Sequence, residues 1–337
     1  MSHAGAHTTR RRLHRRGTSE VPLKAVRTLR YGPAEVMDFV DMPDPEIGPN
    51  EILIRVHASS VNPVDWKVRS GALRFVSGWN PPQVLGADFA GEVEETGARV
   101  EGYSVGDKVY GMVPAFKGGA YAEKVVARPK QIAPMPANIS FEQAAVLPLV
   151  SLTVHQALFD RARQRPHQHV LVNGCTGGLG HIAVQMAKAR GFQVTGVCST
   201  GNLPVAKQLG ADHVIDYRAQ SPLEGKQRYD LVLDAVANLS FRDAKRVLTP
   251  DGVYVSSIPS PENILVAPLL NRFRRQKHRF VSVAPNGAAL RRITEMVEAG
   301  QIKPSIEKVY GLNEIREAHT HSESGRVVGK LALHVAN

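Results

Sequence analysis

The chain has 337 residues and a formal net charge of +11, with 43% hydrophobic and 22% charged residues, a size that suits two domains sharing a cleft. No apolar run reaches the roughly 18 to 20 residues that span a bilayer, which excludes a membrane-spanning helix. The charge does not signal nucleic-acid binding: ten positive residues sit in two short clusters, Arg10, Arg11, Arg12, Arg15, Arg16 and Arg272, Arg274, Arg275, Lys277, Arg279, and neither carries a stacking-aromatic pattern or a helix-turn-helix. Residues 1–21 read as a disordered basic tail or as sequence upstream of the true start, with an organelle-targeting peptide as a third reading. From Leu23 to about residue 135 short β-like runs alternate with turn residues, as in Glu51–His57, Gly91–Glu94, Asp107–Gly111 and Ala120–Val126, and predict a mostly β domain. At Ser140, with Gln143 three residues on, a capping box opens a helix.

From residue 169 the rhythm becomes strand, helix, strand. His169–Asn173 reads as a buried strand, Ile182–Arg190 as a helix, and Gln193–Val197 as a strand. Further strands are expected at His213–Tyr217, Asp230–Asp234, Gly252–Ser256 and Phe280–Val283. This alternation predicts an α/β domain with a doubly wound parallel sheet. A helix over Leu290–Ala299 and a strand over Gly329–Leu333 close the chain.

The first strand and helix are joined by Asn173-Gly-Cys-Thr-Gly-Gly-Leu-Gly180. Glycines at 174, 177, 178 and 180 allow a tight turn, close approach of backbone to a pyrophosphate, and close helix–strand packing. The helix N-terminus then offers unpaired N–H groups to phosphates. Gly174, Thr176, Gly177, Gly178, Leu179 and Gly180 are therefore candidate cofactor-binding residues. The end of the next strand, Val197-Cys-Ser-Thr-Gly-Asn202, holds no acid of the kind that binds a ribose 2′-hydroxyl. Ser199 and Thr200 can donate to a 2′-phosphate, with Lys207, Tyr217 and Arg218 nearby in sequence, so the expected cofactor is NADP(H). Lys207 reads equally well as a solvated helix residue. The two cysteines, Cys175 and Cys198, form no CxxC pair, which excludes a four-thiolate zinc lobe and suits a reducing, cytoplasmic setting.

The chain from about residue 22 resembles the medium-chain dehydrogenase/reductase superfamily, in its quinone oxidoreductase-like branch. The stretches that carry the likeness are Val61-Asn-Pro-Val-Asp-Trp-Lys-Val-Arg-Ser-Gly71, Leu85–Gly91, Gly119–Glu123, Ala144–Thr153, the Gly-rich turn, Lys207–Asp212 with Val214–Tyr217, and Gly325–Lys330. Asn62 to Lys67 is closest in wording to the chloroplast quinone-oxidoreductase-homologue and alkenal reductase group. The resemblance implies a GroES-like mostly β catalytic domain over 22–148 and 285–337, and a Rossmann NADP-binding domain over 149–284. It also implies that no metal is held, since Asn62 stands where zinc-containing relatives have a catalytic Cys and Ala87-Asp88 where they have His-Glu.

Without a Lewis acid, reducing a conjugated C=C is less demanding than reducing an isolated ketone, because the developing charge spreads onto the carbonyl oxygen. The small-molecule substrate is therefore expected to be an enone, an enal or a quinone. The resemblance implies that Thr153 meets the nicotinamide carboxamide and that Ala235, Val236, Ser257 and Lys330 contact the cofactor. On this mechanism Asn62, Lys67 and the nicotinamide ribose hydroxyl are candidate donors to the enolate oxygen. Asp65 is a further site residue, and the proton for the α-carbon comes from water or a nearby side chain such as Tyr121. Each has a plainer alternative: Asn62 shaping the turn before Pro63, Lys67 solvated, Asp65 capping a helix or pairing with Arg69, and Tyr121 packed in the β domain. A one-electron quinone reductase, an enoyl-thioester reductase and a non-catalytic, crystallin-like nucleotide-binding protein remain as alternatives, and a homodimer is compatible with the family.

Overall fold

The computed structural model describes residues 22–161, 168–257 and 266–335. The basic tail expected over 1–21 lies outside the described residues.

A short ribbon opens the chain, β1 (Leu23–Thr28) pairing antiparallel with β2 (Met37–Met42). Next come β3 (Ile52–Val61), β4 (Asp88–Thr96), β5 (Lys108–Met112), β6 (Lys124–Ala127) and β7 (Ile132–Pro134), joined by antiparallel ladders with β6 branching onto β3. Along β3 the alternate residues Ile52, Ile54 and Val56 enter one core with Phe89, Val93 and Val109, as the two-residue period of a strand requires. The helix Pro63–Arg69 follows β3 without a loop. Asn62 is its N-cap and Pro63 its first residue, a position where the missing N–H costs nothing.

The second sheet is parallel throughout. Its strands are β8 (His169–Asn173), β9 (Gln193–Cys198), β10 (His213–Asp216), β11 (Tyr229–Asp234), β12 (Leu248–Ser256) and β13 (Lys277–Phe280), in the order β10-β9-β8-β11-β12-β13. The chain reverses direction across the sheet between β8 and β11, the switch point where ligands of doubly wound sheets bind. One expectation is corrected here. The strand sought at Phe280–Val283 lies earlier, because β12 pairs Val253 with Lys277 and Ser256 with Phe280, and only the tertiary ladder sets that register.

β14 (Ile306–Gly311) and β15 (Lys330–His334) return to the first sheet, β15 antiparallel to β3 and β14 parallel to β15. The result is an α/β chain with a mostly β unit and a Rossmann sheet. One apolar cluster runs continuously from Ala58, Ala90 and Tyr110 of the first sheet, through Leu147, Val150 and Leu152, to Val170 and Val172 of the second. The helix Pro148–His155 thus fills the seam between the two sheets. Leu152→Ala is expected to lower stability by about 2–5 kcal/mol, read from urea unfolding. A loss well below that range would mean that the helix is not the filling of the seam.

Candidate functional site

The carboxyl ends of the parallel strands finish level with one another. Asn173 of β8 pairs with Val197 of β9 and Asp234 of β11, and Asp234 pairs with Ser256 of β12. The segments starting at Gly174, Ser199, Ala235 and Ser257 therefore leave the sheet along a single edge. At the Gly-rich turn Gly174 has φ +75, and a Cβ on Gly180 would lie 2.0 Å from the Gly174 carbonyl. The cradle is one that only backbone can line, and the ten-residue helix Gly180–Ala189 begins at it. These features fit a dinucleotide pyrophosphate. Val236 closes over the turn, since a Cβ on Gly174 would meet its Cγ2 at 2.4 Å.

The loop carrying Ala235 and Val236 is organised by Asp234, which is fully buried. Its carboxylate accepts from the backbone N–H groups of Val236, Ala237 and Leu239, from Asn173 Nδ2, and from the Tyr254 hydroxyl. Ala237 is held at φ +61, a conformation that costs a residue with a Cβ and needs such anchoring. Sequence reasoning placed this stretch near the cofactor but did not identify Asp234 as its anchor. A run of polar and small residues does not reveal which one turns inward.

At the ends of β9 and β10, the Tyr217 N–H donates to the Cys198 carbonyl at 3.1 Å, which gathers Ser199, Thr200, Asp216 and Tyr217. Here the acid-free reading is amended. Asp216 accepts the Thr200 hydroxyl at 2.6 Å and the Arg218 N–H at 2.9 Å, and the Thr200 bond holds its carboxyl below the usual range. A carboxylate thus stands beside the expected 2′-phosphate donors. Tyr217 is exposed. So is Lys207, on a helix (Leu203–Gln208) whose buried residue is Ala206. Thr153, nearly buried, donates its hydroxyl to the Leu149 carbonyl at 2.7 Å, which leaves the oxygen free only to accept.

Beside the Gly-rich turn lies a buried polar cluster built from both ends of the chain. Lys330 opens β15, and its backbone neighbour Gly329 donates to the Thr176 carbonyl at 2.8 Å. A Cβ at Gly178 would come within 3.0 Å of the Lys330 Cδ. The Lys330 ammonium donates to the Val61 carbonyl at 2.9 Å and to Asn62 Oδ1 at 2.6 Å. Asn62 in turn donates through Nδ2 to Asp88 at 2.9 Å, where Ser60 also donates at 2.9 Å. The second oxygen of Asp88 accepts the Leu149 N–H at 2.8 Å, so this carboxylate also caps the helix that fills the seam. Burial pushes the Lys330 ammonium down and the Asp88 carboxyl up, and each is pulled back by the other's charge.

Asp65 sits one helical turn beyond Asn62. Its Oδ2 accepts the Asn62 N–H at 2.8 Å and the Tyr121 hydroxyl at 2.9 Å, while Oδ1 is buried without a partner. Burial, with the Asp88 charge adding to it, raises its pKa to about 7. The structure thereby corrects two expectations. Asp65 does not pair with Arg69, which instead meets Glu323, His319 and the Gly32 carbonyl; it takes the capping role. Tyr121 is fully buried, with its ring packed where a Gly86 Cβ would stand and its hydroxyl spent on Asp65 and His319, so it presents no proton to a cleft. Asn62, also fully buried, has its amide committed to Asp88 and Lys330. Lys67 is half-buried, its ammonium 5.3 Å from the Trp66 ring centroid, and burial lowers its pKa.

The residues at the zinc-ligand positions do not fit a zinc ion. Ala87 has no ligand atom, the Asn62 and Asp88 side chains are bonded to each other, and an ammonium already stands 2.6 Å from Asn62 Oδ1.

Residues 48–137 match the alcohol dehydrogenase GroES-like domain, and residues 209–333 match a zinc-binding dehydrogenase domain. The chain is 32% identical to the chloroplastic quinone oxidoreductase QR1 of Triphysaria versicolor, over 92% of this chain and 98% of that protein. It is also 32% identical to the 2-methylene-furan-3-one reductase of Solanum lycopersicum, over 93% of this chain and 79% of that one. The solved quinone oxidoreductase from Coxiella burnetii superposes with a TM-score of 0.83 at 33% identity, covering 93% and 99% of the two chains.

The raised pKa of Asp65 has a signed consequence for stability. Between about pH 4 and about pH 7 the folded protein keeps a proton on Asp65 that the unfolded chain releases. Stability from this group is therefore lost as pH rises toward 7. Relative to Asp65→Asn, the wild type is expected to lose stability across that window and run parallel above it, as thermal unfolding against pH will show. A constant difference from pH 4 to 9 would contradict the assignment.

Proposed function

The chain belongs to the medium-chain dehydrogenase/reductase superfamily, in its quinone oxidoreductase-like branch, and from that premise we propose that it is a zinc-independent reductase that uses NADPH on enones, enals or quinones. The observation that carries this reading is the Lys330–Asn62–Asp88 cluster beside the Gly-rich turn. Asn62 stands where zinc-containing relatives have a catalytic Cys, and its amide oxygen is held by the Lys330 ammonium. Such a site supplies no Lewis acid to polarise an isolated ketone. It suits a conjugated acceptor, whose negative charge is already delocalised as it forms.

When bound, the nicotinamide cofactor supplies the hydride. The protein's own part is positioning and electrostatics. Gly174, Thr176, Gly177, Gly178, Leu179 and Gly180 hold the pyrophosphate, residues 149–284 forming the nucleotide-binding unit. Ala235, Val236 and Ser257 flank the nicotinamide half along the same sheet edge, and the Thr153 oxygen accepts from its carboxamide. Lys330 and Asn62 act as a fixed polar floor to the site, tied to each other and to Asp88, rather than as donors that swing toward the enolate. Lys67 has a charged end that is not tied into the buried cluster, and burial lowers its pKa; we assign it the donor to the enolate oxygen.

For cofactor choice, Ser199, Tyr217 and Arg218 favour a 2′-phosphate, whereas the Thr200 hydroxyl is spent on Asp216. A second reading, NADH, draws on the Asp216 carboxylate beside Thr200, since an acid there suits a free ribose hydroxyl.

The test is oxidation of NADPH and of NADH against an alkenal, an alkenone, a 1,4-quinone, a saturated aldehyde and a saturated ketone, each with and without chelator. The expected outcome is turnover of the conjugated substrates alone, faster with NADPH and indifferent to chelator, with Lys67→Met reducing kcat by roughly tenfold or more. Turnover of the saturated carbonyls, or loss of activity with chelator, would overturn the zinc-independent reading.

A further inference from the structure

The helix Pro63–Arg69 carries Asn62 at its cap, Asp65 in its first turn, Lys67 at its middle and Arg69 at its end. Its buried face is gripped at two points by side chains from far along the chain. Tyr121, before β6, holds Asp65. His319, on the helix Ile315–Glu323, stands between Arg69 at 3.1 Å and Tyr121 at 3.2 Å. We propose that Tyr121, His319 and Arg69 are positioning residues of the reductase site, linked in a one-way hydrogen-bond chain that fixes Asp65 and, through it, the helix bearing Asn62 and Lys67.

The direction of the chain follows from donor and acceptor inventory. An arginine guanidinium has hydrogens to give and no lone pair to receive, so His319 Nδ1 must be an acceptor. A neutral imidazole then carries its single hydrogen on Nε2, pointing at the Tyr121 oxygen. Having accepted there, the Tyr121 hydroxyl directs its own hydrogen to Asp65 Oδ2, where the Asn62 N–H also arrives. The charged and titratable groups around this chain are Glu323, paired with Arg69 at the outer end, and Asp88 and Lys330, which act on Asp65 at the inner end. Burial and the Arg69 charge hold the His319 pKa down to about 3. The imidazole is thus neutral throughout the physiological range, and the polarity of the chain does not reverse with pH. Because Arg69 occupies Nδ1, no proton passes inward from the surface along this route. The chain orients; it does not conduct.

The chain closes a loop on a single short helix. Asp65 and Arg69 are one turn apart, and the path Asp65–Tyr121–His319–Arg69 returns to that helix from outside it. Rotation or sliding of the helix breaks at least one buried hydrogen bond, which is costly where no water can replace it. The position of Lys67 relative to the Asn62–Lys330 pair is thereby set by a residue, His319, that touches neither.

This inference rests on the reductase reading, and the test separates the two. In nucleotide-free protein, the 15N shifts of His319 are followed from pH 5 to 9. The expected result is a neutral ring with its hydrogen on Nε2 at every pH. A ring that titrates in that range, or the opposite tautomer, overturns the chain whether or not the protein turns over any substrate. Kinetics then test the positioning. His319→Leu removes both bonds, and is expected to lower kcat for the conjugated substrate at least roughly tenfold while the nucleotide Kd moves less than about twofold. His319→Gln presents a carbonyl to Arg69 and an N–H to Tyr121, and is expected to recover most of the lost kcat. Wild-type kcat in folded His319→Leu, or equal impairment of the Leu and Gln variants, overturns the positioning role.

Discussion

The site depends on a buried ammonium ion. Lys330 is removed from water at the place where the first strand sheet meets the glycine-rich turn of the second, and a lone buried charge of this kind is not tolerated. Its neutralisation dictates the residues around it. Val61 turns its carbonyl inward at the end of β3, Asn62 offers Oδ1, and Asp88 supplies the opposite charge through the Asn62 amide. The same Asp88 carboxylate caps the helix that fills the seam between the sheets. One electrostatic requirement therefore ties the nucleotide turn, the candidate site and the packing of the two halves together.

On the nucleotide side the equivalent role falls to Asp234. Five donors converge on this carboxylate, three from the loop that follows β11 and two from Asn173 and Tyr254. It holds Ala237 in a left-handed conformation and brings Val236 against Gly174. The loop is rigid by hydrogen bonding and not by apolar burial, and Val236 stays exposed on the rim. Asp88, at the start of β4, and Asp234, at the end of β11, thus act alike, the first holding the Leu149 N–H and the second three N–H groups of its loop.

What the sequence made legible was local. The glycine spacing between β8 and its helix and the Ser140–Gln143 capping box are each written within a few neighbouring residues, and the structure has both of these local features. The alternation of strands and helices gave the parallel sheet for the same reason. The partners that define the polar cluster are separated by 268 residues for Lys330 and Asn62 and by 250 for Arg69 and His319, and no periodicity encodes such pairings. Tyr121 was read as a proton donor because its chemistry permits the role; its burial follows from Gly86 leaving space for the ring, which only the fold reveals. Asp216 was overlooked because the acid beside Thr200 comes from the neighbouring strand and not from the strand end where the rule looks for it.

The claim that the Lys330 charge organises the site is tested most directly by a double-mutant cycle between Lys330 and Asp88, read as unfolding free energy. Lys330→Met alone leaves a buried carboxylate uncompensated and is predicted to cost about 3–5 kcal/mol. Adding Asp88→Asn removes that carboxylate, so the double variant is predicted to be well short of the sum of the single ones. Additive single effects would contradict the account, because they would mean that the two charges are satisfied independently.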